Sequence, residues 1–281
     1  MNLDYLIEKI NCAKIITEPF PHLEINDFLK DDDFRLIVEN SQIHFESCES
    51  TTELMKTLES KHYRVQKFPG CSTDIKDYLL RLEKNNWPKD RKGTPIETFG
   101  ITYRLQKYEN KNIKKIVDYF ASTELENALR DKFDITEKTY AISAIQKNLT
   151  GYEISPHPDT RRKAMTYLYN INKDSSIQHY DIHTHLLKFK NKYNKIYDIW
   201  HEKKAYDRCW VPWEWCDSIK QIRKNNTIVI FPTTNKSLHA VRMDYPHEIF
   251  QRTQIYGNLM FVEDKSVPLR NYKQLKKEEG L

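Results

Sequence analysis

Four residues in this chain could carry metal and oxygen chemistry. They are His157 and Asp159 in His157-Pro158-Asp159, His239 in Ser237-Leu238-His239-Ala240-Val241, and Arg252 in Arg252-Thr253-Gln254-Ile255-Tyr256. Two histidines and one carboxylate form a facial triad, which holds Fe(II) and leaves coordination positions open. On an extended segment, residues two apart point to the same side, so one strand end can present both His157 and Asp159. The third ligand must come from a distant strand, and the 80 residues from Asp159 to His239 leave room for several strands between. An Arg one strand further on offers a planar, permanently charged fork that matches a carboxylate. On a strand, Arg252, Gln254 and Tyr256 share one face, so Arg252 can point inward with them.

A second His-x-Asp competes with the first. His179-Tyr180-Asp181 is followed by His183 and His185, and all four alternate, so one strand face could carry a cupin-like metal site. It is disfavoured because no apolar β segment immediately precedes it and no carboxylate follows at short remove. A polar strand or loop at a barrel rim is the plainer reading. A third reading is a non-catalytic β-sandwich in which these residues are packed polar groups.

The elements that must position the site change character along the chain. Residues 3–12 carry Leu3, Leu6, Ile7 and Ile10 at helical spacing. Residues 19–29 begin extended, because Pro19 and Pro21 bias their predecessors away from the α region. Asp27 or Asp31 could cap a helix carrying Phe34, Ile37 and Val38. A helix near 74–86, a linker at 88–95, a strand near 98–105 and a helix near 112–132 follow. From about 139, short β-type runs dominate: 140–149, 164–171, 183–189, 227–231, 238–243 and 252–261. The predicted class is α+β. Residues 1–138 form a mainly helical support region, 139–264 a sheet core that is a sandwich or open barrel with an insertion at about 190–220, and 265–281 a charged, solvent-exposed tail. Trp200, Trp210, Trp213 and Trp215 lie in 197–216, which either packs on itself or forms a lid whose Trp213 and Trp215 line the substrate pocket. Arg161 and Arg162 follow the metal motif and could meet an anionic substrate, although two solvated loop cations is the plainer reading.

The order and spacing of these motifs resemble the iron(II)/2-oxoglutarate-dependent dioxygenases, specifically their prolyl-4-hydroxylase-like branch. The resemblance covers 139–262, from Gly151-Tyr152 through His157-Pro158-Asp159 and Met165-Thr166-Tyr167-Leu168-Tyr169-Asn170-Ile171-Asn172 to Arg252, and extends more weakly to Pro19-Phe20-Pro21-His22-Leu23-Glu24-Ile25-Asn26-Asp27-Phe28-Leu29. It implies a double-stranded β-helix (jelly roll) core with supporting N-terminal helices. It also implies Fe(II) on His157, Asp159 and His239, and 2-oxoglutarate as cosubstrate with its far carboxylate on Arg252 and Tyr169. The implied activity is a hydroxylase that consumes dioxygen and releases succinate and CO₂ while oxidising a C–H bond of an unidentified small molecule or peptidyl residue such as proline. Asp159 argues against a halogenase, in which a small residue takes that place. Where such enzymes often have a Gly-rich turn, this chain has Lys173-Asp174-Ser175-Ser176-Ile177-Gln178, which blurs the strand boundaries between 172 and 226.

Composition narrows the partners. The 281-residue chain is long enough for a substantial core. Its formal charge of +5 is scattered, without the dense basic run that nucleic-acid binding would favour. The five cysteines (Cys12, Cys48, Cys71, Cys209 and Cys216) form no CxxC pair, which suggests reduced thiols and a cytoplasmic setting. No secretory leader or apolar run of about 18 residues is expected to engage a membrane. Nothing in the sequence sets the oligomeric state.

Overall fold

Two antiparallel sheets face one another in the computed structural model, which describes residues 1–67, 73–87 and 95–280. The expected linker at 88–95 and Cys71 lie outside the described residues, Pro95 apart. The eight strands of the second half are β4 (Thr139–Asn148), β5 (Glu153–His157), β6 (Lys163–Asn170), β7 (Thr184–Phe189), β8 (Cys216–Ile222), β9 (Ile228–Pro232), β10 (His239–Arg242) and β11 (Thr253–Phe261). In the N-terminal half, β1 (Leu23–Ile25), β2 (Tyr63–Val65) and β3 (Thr102–Leu105) extend the larger sheet, whose order is β1-β9-β6-β11-β4-β3-β2. The smaller sheet runs β5-β10-β7-β8. From β4 onward the chain crosses from one sheet to the other at nearly every step, and the β7–β8 pair is the one place where consecutive strands share a sheet.

The helices lie where apolar periodicity puts them. Helix α1 (Tyr5–Cys12) buries Leu6 and Ile10, α2 (Asp31–Val38) buries Ile37 and Val38, and α3 (Thr51–Ser60) and α4 (Ile75–Glu83) complete that layer. The single helix expected over 112–132 is two, α5 (Lys111–Phe120) and α6 (Thr123–Lys132). The break falls at Ser122, whose hydroxyl accepts the Leu125 N–H and so starts a new helix. Three strands were not foreseen: the short β2, then β5, which has Pro at its fourth position, and β8, an edge strand that begins within the expected insertion and carries the polar residues Asp217, Ser218, Lys220 and Gln221.

The larger sheet turns its apolar face to the helices. Ile145, Tyr167, Tyr169, Ile228, Ile230, Ile255 and Leu259 pack with Phe28, Ile113, Ile116 and Phe120 in one continuous core. Tyr167 donates to the Phe120 carbonyl at 2.5 Å, and both tyrosine rings stack against Phe120. Gly257 stands opposite Tyr167 in the pairing of β11 with β6, and a β-carbon there would overlap the Tyr167 ring. Asn226 fastens the N-terminal segment to the β8–β9 turn, because its amide accepts from Leu29 N and donates to Leu29 O.

The face toward the smaller sheet is the unusual one. Gln146, Asn148, Thr166, Asn170, Arg252, Gln254 and Asn258 are buried there, while a small apolar group around Leu168, Leu186, Val229 and Phe231 fills one end. The space between the sheets is therefore largely polar. Buried polar groups persist where they bond one another or a ligand.

The charged tail is mostly exposed, as expected, but it is partly helical. Residues 272–279 form α8 (Tyr272–Glu279), and Leu275 is buried against Trp200, Val211 and Trp215. Asn271 and Gln274 close a capping box at its start, a local signal inside an otherwise charged stretch. The segment 190–220 also holds α7 (Lys195–Glu202), and it packs on the outside of β7 as a separate small core.

Substituting Gly257 by Ala is expected to lower unfolding free energy by about 1–3 kcal/mol, the usual cost of overpacking a closed site. Urea denaturation of both proteins measures it, and an unchanged midpoint would mean that the Tyr167 ring has room to move.

Candidate metal centre

His157 ends β5 and His239 begins β10, directly opposite each other in the ladder of the smaller sheet. Their ring centroids are 4.4 Å apart. Asp159 follows β5 by two residues, so the loop returns its carboxylate to the same pair. His157, Asp159 and His239 are the one group of three or more candidate ligands brought together among the described residues, with ligand atoms within 4.8 Å of one another. The His239 Nε2 to Asp159 Oδ2 separation is 3.7 Å, inside the roughly 4.2 Å that two bonds of about 2.1 Å to one ion allow.

Each ligand is oriented from behind. His157 Nδ1 lies 2.9 Å from the Ser155 carbonyl, and His239 Nδ1 lies 3.0 Å from the Ser237 carbonyl. Both Nδ1 atoms are thereby fixed as donors, which leaves the Nε2 lone pairs for a metal. Thr166 donates its hydroxyl to Asp159 Oδ2, and Lys163 Nζ lies 2.6 Å from Oδ1. Lys163 also donates to Tyr256 OH at 2.9 Å, and Tyr256 OH lies 3.2 Å from Asn258 Oδ1. Asn258 Oδ1 is in turn 3.0 Å from Thr166 Oγ1, which closes a ring of polar contacts around the carboxylate. Arg208 donates to the Asp159 backbone carbonyl.

The charges suit a cation. Burial pushes the His157 imidazole down to about 3, reinforced by the adjacent His239, and burial lowers His239 too, so both are neutral donors near pH 7. Burial alone would raise the Asp159 carboxyl. The Lys163 ammonium and the two histidines outweigh it and hold the group well below the usual carboxylate range. A buried, ionised carboxylate beside two neutral imidazoles is the donor set that a divalent first-row ion such as Fe(II) takes.

Arg252 lies between the two sheets and reaches strands of both. Its Nη1 donates to Asn148 Oδ1 on β4 at 2.8 Å, and its Nη2 lies 3.5 Å from Thr184 Oγ1 on β7. It is 4% exposed and forms no ion pair with a carboxylate among the described residues. Burial pushes its pKa down to about 10. A buried guanidinium held only by neutral groups is costly unless an anion completes it.

Several expected residues stand elsewhere. Tyr169 points to the opposite face of β6, into the helix-side core, where its hydroxyl donates to Asn226 Oδ1 at 2.7 Å. Its expected contact with a cosubstrate is therefore corrected: an odd step along the strand separates it from inward-facing Leu168 and Asn170. Trp213 lies on the outer side of the smaller sheet, donating to Glu153 Oε1 at 2.9 Å beneath the Arg242 guanidinium. Trp215 stacks on Tyr193 at 4.7 Å within the insertion's own core. Neither tryptophan stands against the triad, so of the two readings of 197–216 the contacts favour the segment that packs on itself over a lid with Trp213 and Trp215 in the substrate pocket. Arg161 is a brace: it donates to the carbonyls of Tyr206 and Trp200 at 2.8 and 2.7 Å. The histidines of the rival motif do not converge. His183 Nε2 lies 2.9 Å from the Gln178 carbonyl, and His185 Nδ1 lies 2.8 Å from Ser218 Oγ.

Sequence reasoning missed Lys163, Thr166, Arg208 and Trp210. Trp210, not Trp213 or Trp215, stacks on a ligand, 5.6 Å from the His157 ring at 26°. Thr166 was within reach of the alternation argument, being two residues from Leu168 and four from Asn170 on one face. Lys163 and Arg208 carried no such signal.

No protein-family model matches the chain, and no curated protein matches it. Solved structures to which it is similar are those of iron(II)/2-oxoglutarate oxygenases, prolyl hydroxylases among them. A prolyl-4-hydroxylase from Pseudomonas putida aligns at 8% identity and TM-score 0.45, covering 93% of this chain and 100% of that one. A prolyl hydroxylase from Trichoplax adhaerens, in complex with a hypoxia-inducible-factor oxygen degradation domain peptide fragment, aligns at 11% identity and TM-score 0.43, covering 92% and 88%. An oxidoreductase of the 2OG-Fe(II) oxygenase family from Burkholderia pseudomallei aligns at 10% identity and TM-score 0.36, covering 81% and 97%. No helix among the described residues is long and apolar enough to cross a membrane.

His239→Ala is expected to abolish Mn(II) binding, measured by electron paramagnetic resonance titration, while His183→Ala leaves it intact. The reverse pattern would transfer the metal to the rival motif. Thr166→Val removes a donor to the ligating carboxylate and is expected to weaken Mn(II) binding about 10–100-fold, as loss of such supporting groups commonly does.

Proposed function

We propose that the chain is an Fe(II)- and 2-oxoglutarate-dependent dioxygenase that oxidises a C–H bond, in most cases by hydroxylation. The observation that carries this reading is a buried two-histidine, one-carboxylate triad together with a buried arginine, on the inner side of the larger sheet, that has no carboxylate partner among the described residues. The alternation of strands between the two sheets supports a double-stranded β-helix as the frame of this site.

His157, Asp159 and His239 would hold Fe(II) on one face and leave the other for ligands. The iron, 2-oxoglutarate and dioxygen together would supply the oxidising power, releasing succinate and CO₂. The chain's own part is positional. Arg252 would take the far carboxylate of 2-oxoglutarate through its fork, with Asn148 and Thr184 holding the guanidinium in place. Lys163 and Thr166 keep Asp159 ionised and aimed. Trp210 covers one side of His157 and keeps water from that ligand.

The deciding experiment is conversion of 2-oxoglutarate to succinate by the anaerobically iron-loaded protein on admission of air. Succinate that depends on Fe(II) and disappears in His239→Ala supports the reading; none from a folded, metal-loaded protein overturns it. Arg252→Ala is expected to raise the 2-oxoglutarate concentration needed for half-maximal turnover by at least about tenfold, since a charge-assisted contact is worth roughly 1.5–3 kcal/mol. An unchanged requirement would move the anchor elsewhere.

A further inference from the structure

Next to Lys163 and Arg208, the two cations that contact Asp159, lies an open cavity of about 400 Å³. Arg161, Lys163, Lys204, Arg208 and Lys265 line it, with Asp264 as the one acidic residue of the lining. Two of the cations tie it to the metal centre. Lys163 Nζ is 2.6 Å from Asp159 Oδ1, and Arg208 donates to the Asp159 carbonyl.

Arg208 is the informative member. Its side chain is 4% exposed, yet its Nε has no hydrogen-bond partner. Its Nη1 reaches only long contacts, 3.4 Å to the Thr233 carbonyl and 3.4 Å to Asn235 Oδ1. The nearest carboxylate oxygen, Asp207 Oδ1, is 4.0 Å from Nε and already accepts the backbone N–H groups of Arg161 and Arg208 at 3.0 Å each. Arg161 spends its donors on two carbonyls, so its charge also faces no carboxylate fork. Lys204 is exposed at the rim, and Lys265 pairs with exposed Glu137 at 3.0 Å. A divalent ion on Asp159 would draw that carboxylate's charge away from Lys163 and leave the lining more positive still.

We propose that this cavity binds an oxyanion, a carboxylate or phosphate group, and that it holds the anionic end of the prime substrate beside Asp159. The second clause rests on the dioxygenase reading; the binding of the anion does not.

The test titrates inorganic phosphate, and separately acetate, into the full-length metal-free protein by isothermal calorimetry. Saturable binding of one anion per chain is expected, unchanged in Arg252→Ala, which separates this cavity from the cosubstrate anchor. The rim variant Lys204→Glu/Lys265→Glu should weaken it about tenfold or more, the scale of one charge-assisted contact. Arg208→Gln should do the same. Because that residue supports the Asp159 loop, the exposed rim variant decides the matter if Arg208→Gln does not fold. Tighter phosphate than acetate assigns a phosphoryl group to the substrate, and the reverse assigns a carboxylate. Three results overturn the proposal: no saturable binding, full affinity in the rim variant, or loss confined to Arg252→Ala. Phosphate binding by a protein that forms no succinate keeps this site and removes the dioxygenase reading. Succinate formation without anion binding does the reverse.

Discussion

The buried carboxylate of Asp159 is the point on which the second half of the chain converges. It carries a negative charge inside the protein, which is tolerable only with paired charge and full hydrogen bonding. Lys163 and Thr166 meet that demand from β6, and Tyr256 and Asn258 extend the support to β11. Arg208, from the segment before β8, holds the backbone at the same residue. His157 and His239 complete the set from the smaller sheet. Two sheets and one insertion are thus ordered around a single acidic group, and the same contacts that stabilise the carboxylate aim its free lone pairs at the histidines.

That arrangement needs a sheet with its faces reversed relative to an ordinary sandwich. The larger sheet keeps its apolar side for the helices and spends its inner side on Gln146, Asn148, Asn170, Arg252, Gln254 and Asn258. The helical layer supplies the core that the space between the sheets does not. It is part of the architecture of the site for that reason, since without Phe28, Ile113, Ile116 and Phe120 the outward face of β6 and β11 would be exposed. The N-terminal half also joins the sheet directly, with β1 on β9 and β3 on β4, so the region before residue 138 and the region after it share one hydrogen-bonded surface.

The tryptophan-rich segment has a different part from the one its composition suggests. Trp200 and Trp215 form a small core of their own with Leu275 of α8, and the Arg242–Glu153–Trp213 contact pins that core to the outside of the smaller sheet. What reaches the metal centre from it is Trp210 on His157 and Arg208 on Asp159. The insertion therefore acts as a brace against the ligand loop. A brace must be rigid, and the buried aromatic contacts and the Arg161 bonds to its carbonyls give it that rigidity.

The sequence by itself determined two candidate His-x-Asp motifs and most of the second-half strands, because period-two alternation and His-x-Asp spacing are local properties of an extended chain. It also determined the inward face of β11, since Arg252, Gln254 and Tyr256 follow from alternation once one of them is placed. Tertiary structure decided which of two His-x-Asp motifs gathers a third ligand, because that depends on β10 pairing with β5 across 82 residues of sequence from His157 to His239. It decided the fate of Tyr169, one step out of phase with the inward face, where alternation on β6 could not be anchored without knowing which side the helices cover. It also turned part of a charged tail into α8, because one buried leucine and a capping box outweigh six charged or amide neighbours only when a hydrophobic surface stands opposite. Lys163 and Arg208 were invisible beforehand for the plainest reason: a lysine or arginine in a polar loop has no periodicity, and its role is set by whatever charge the fold brings against it.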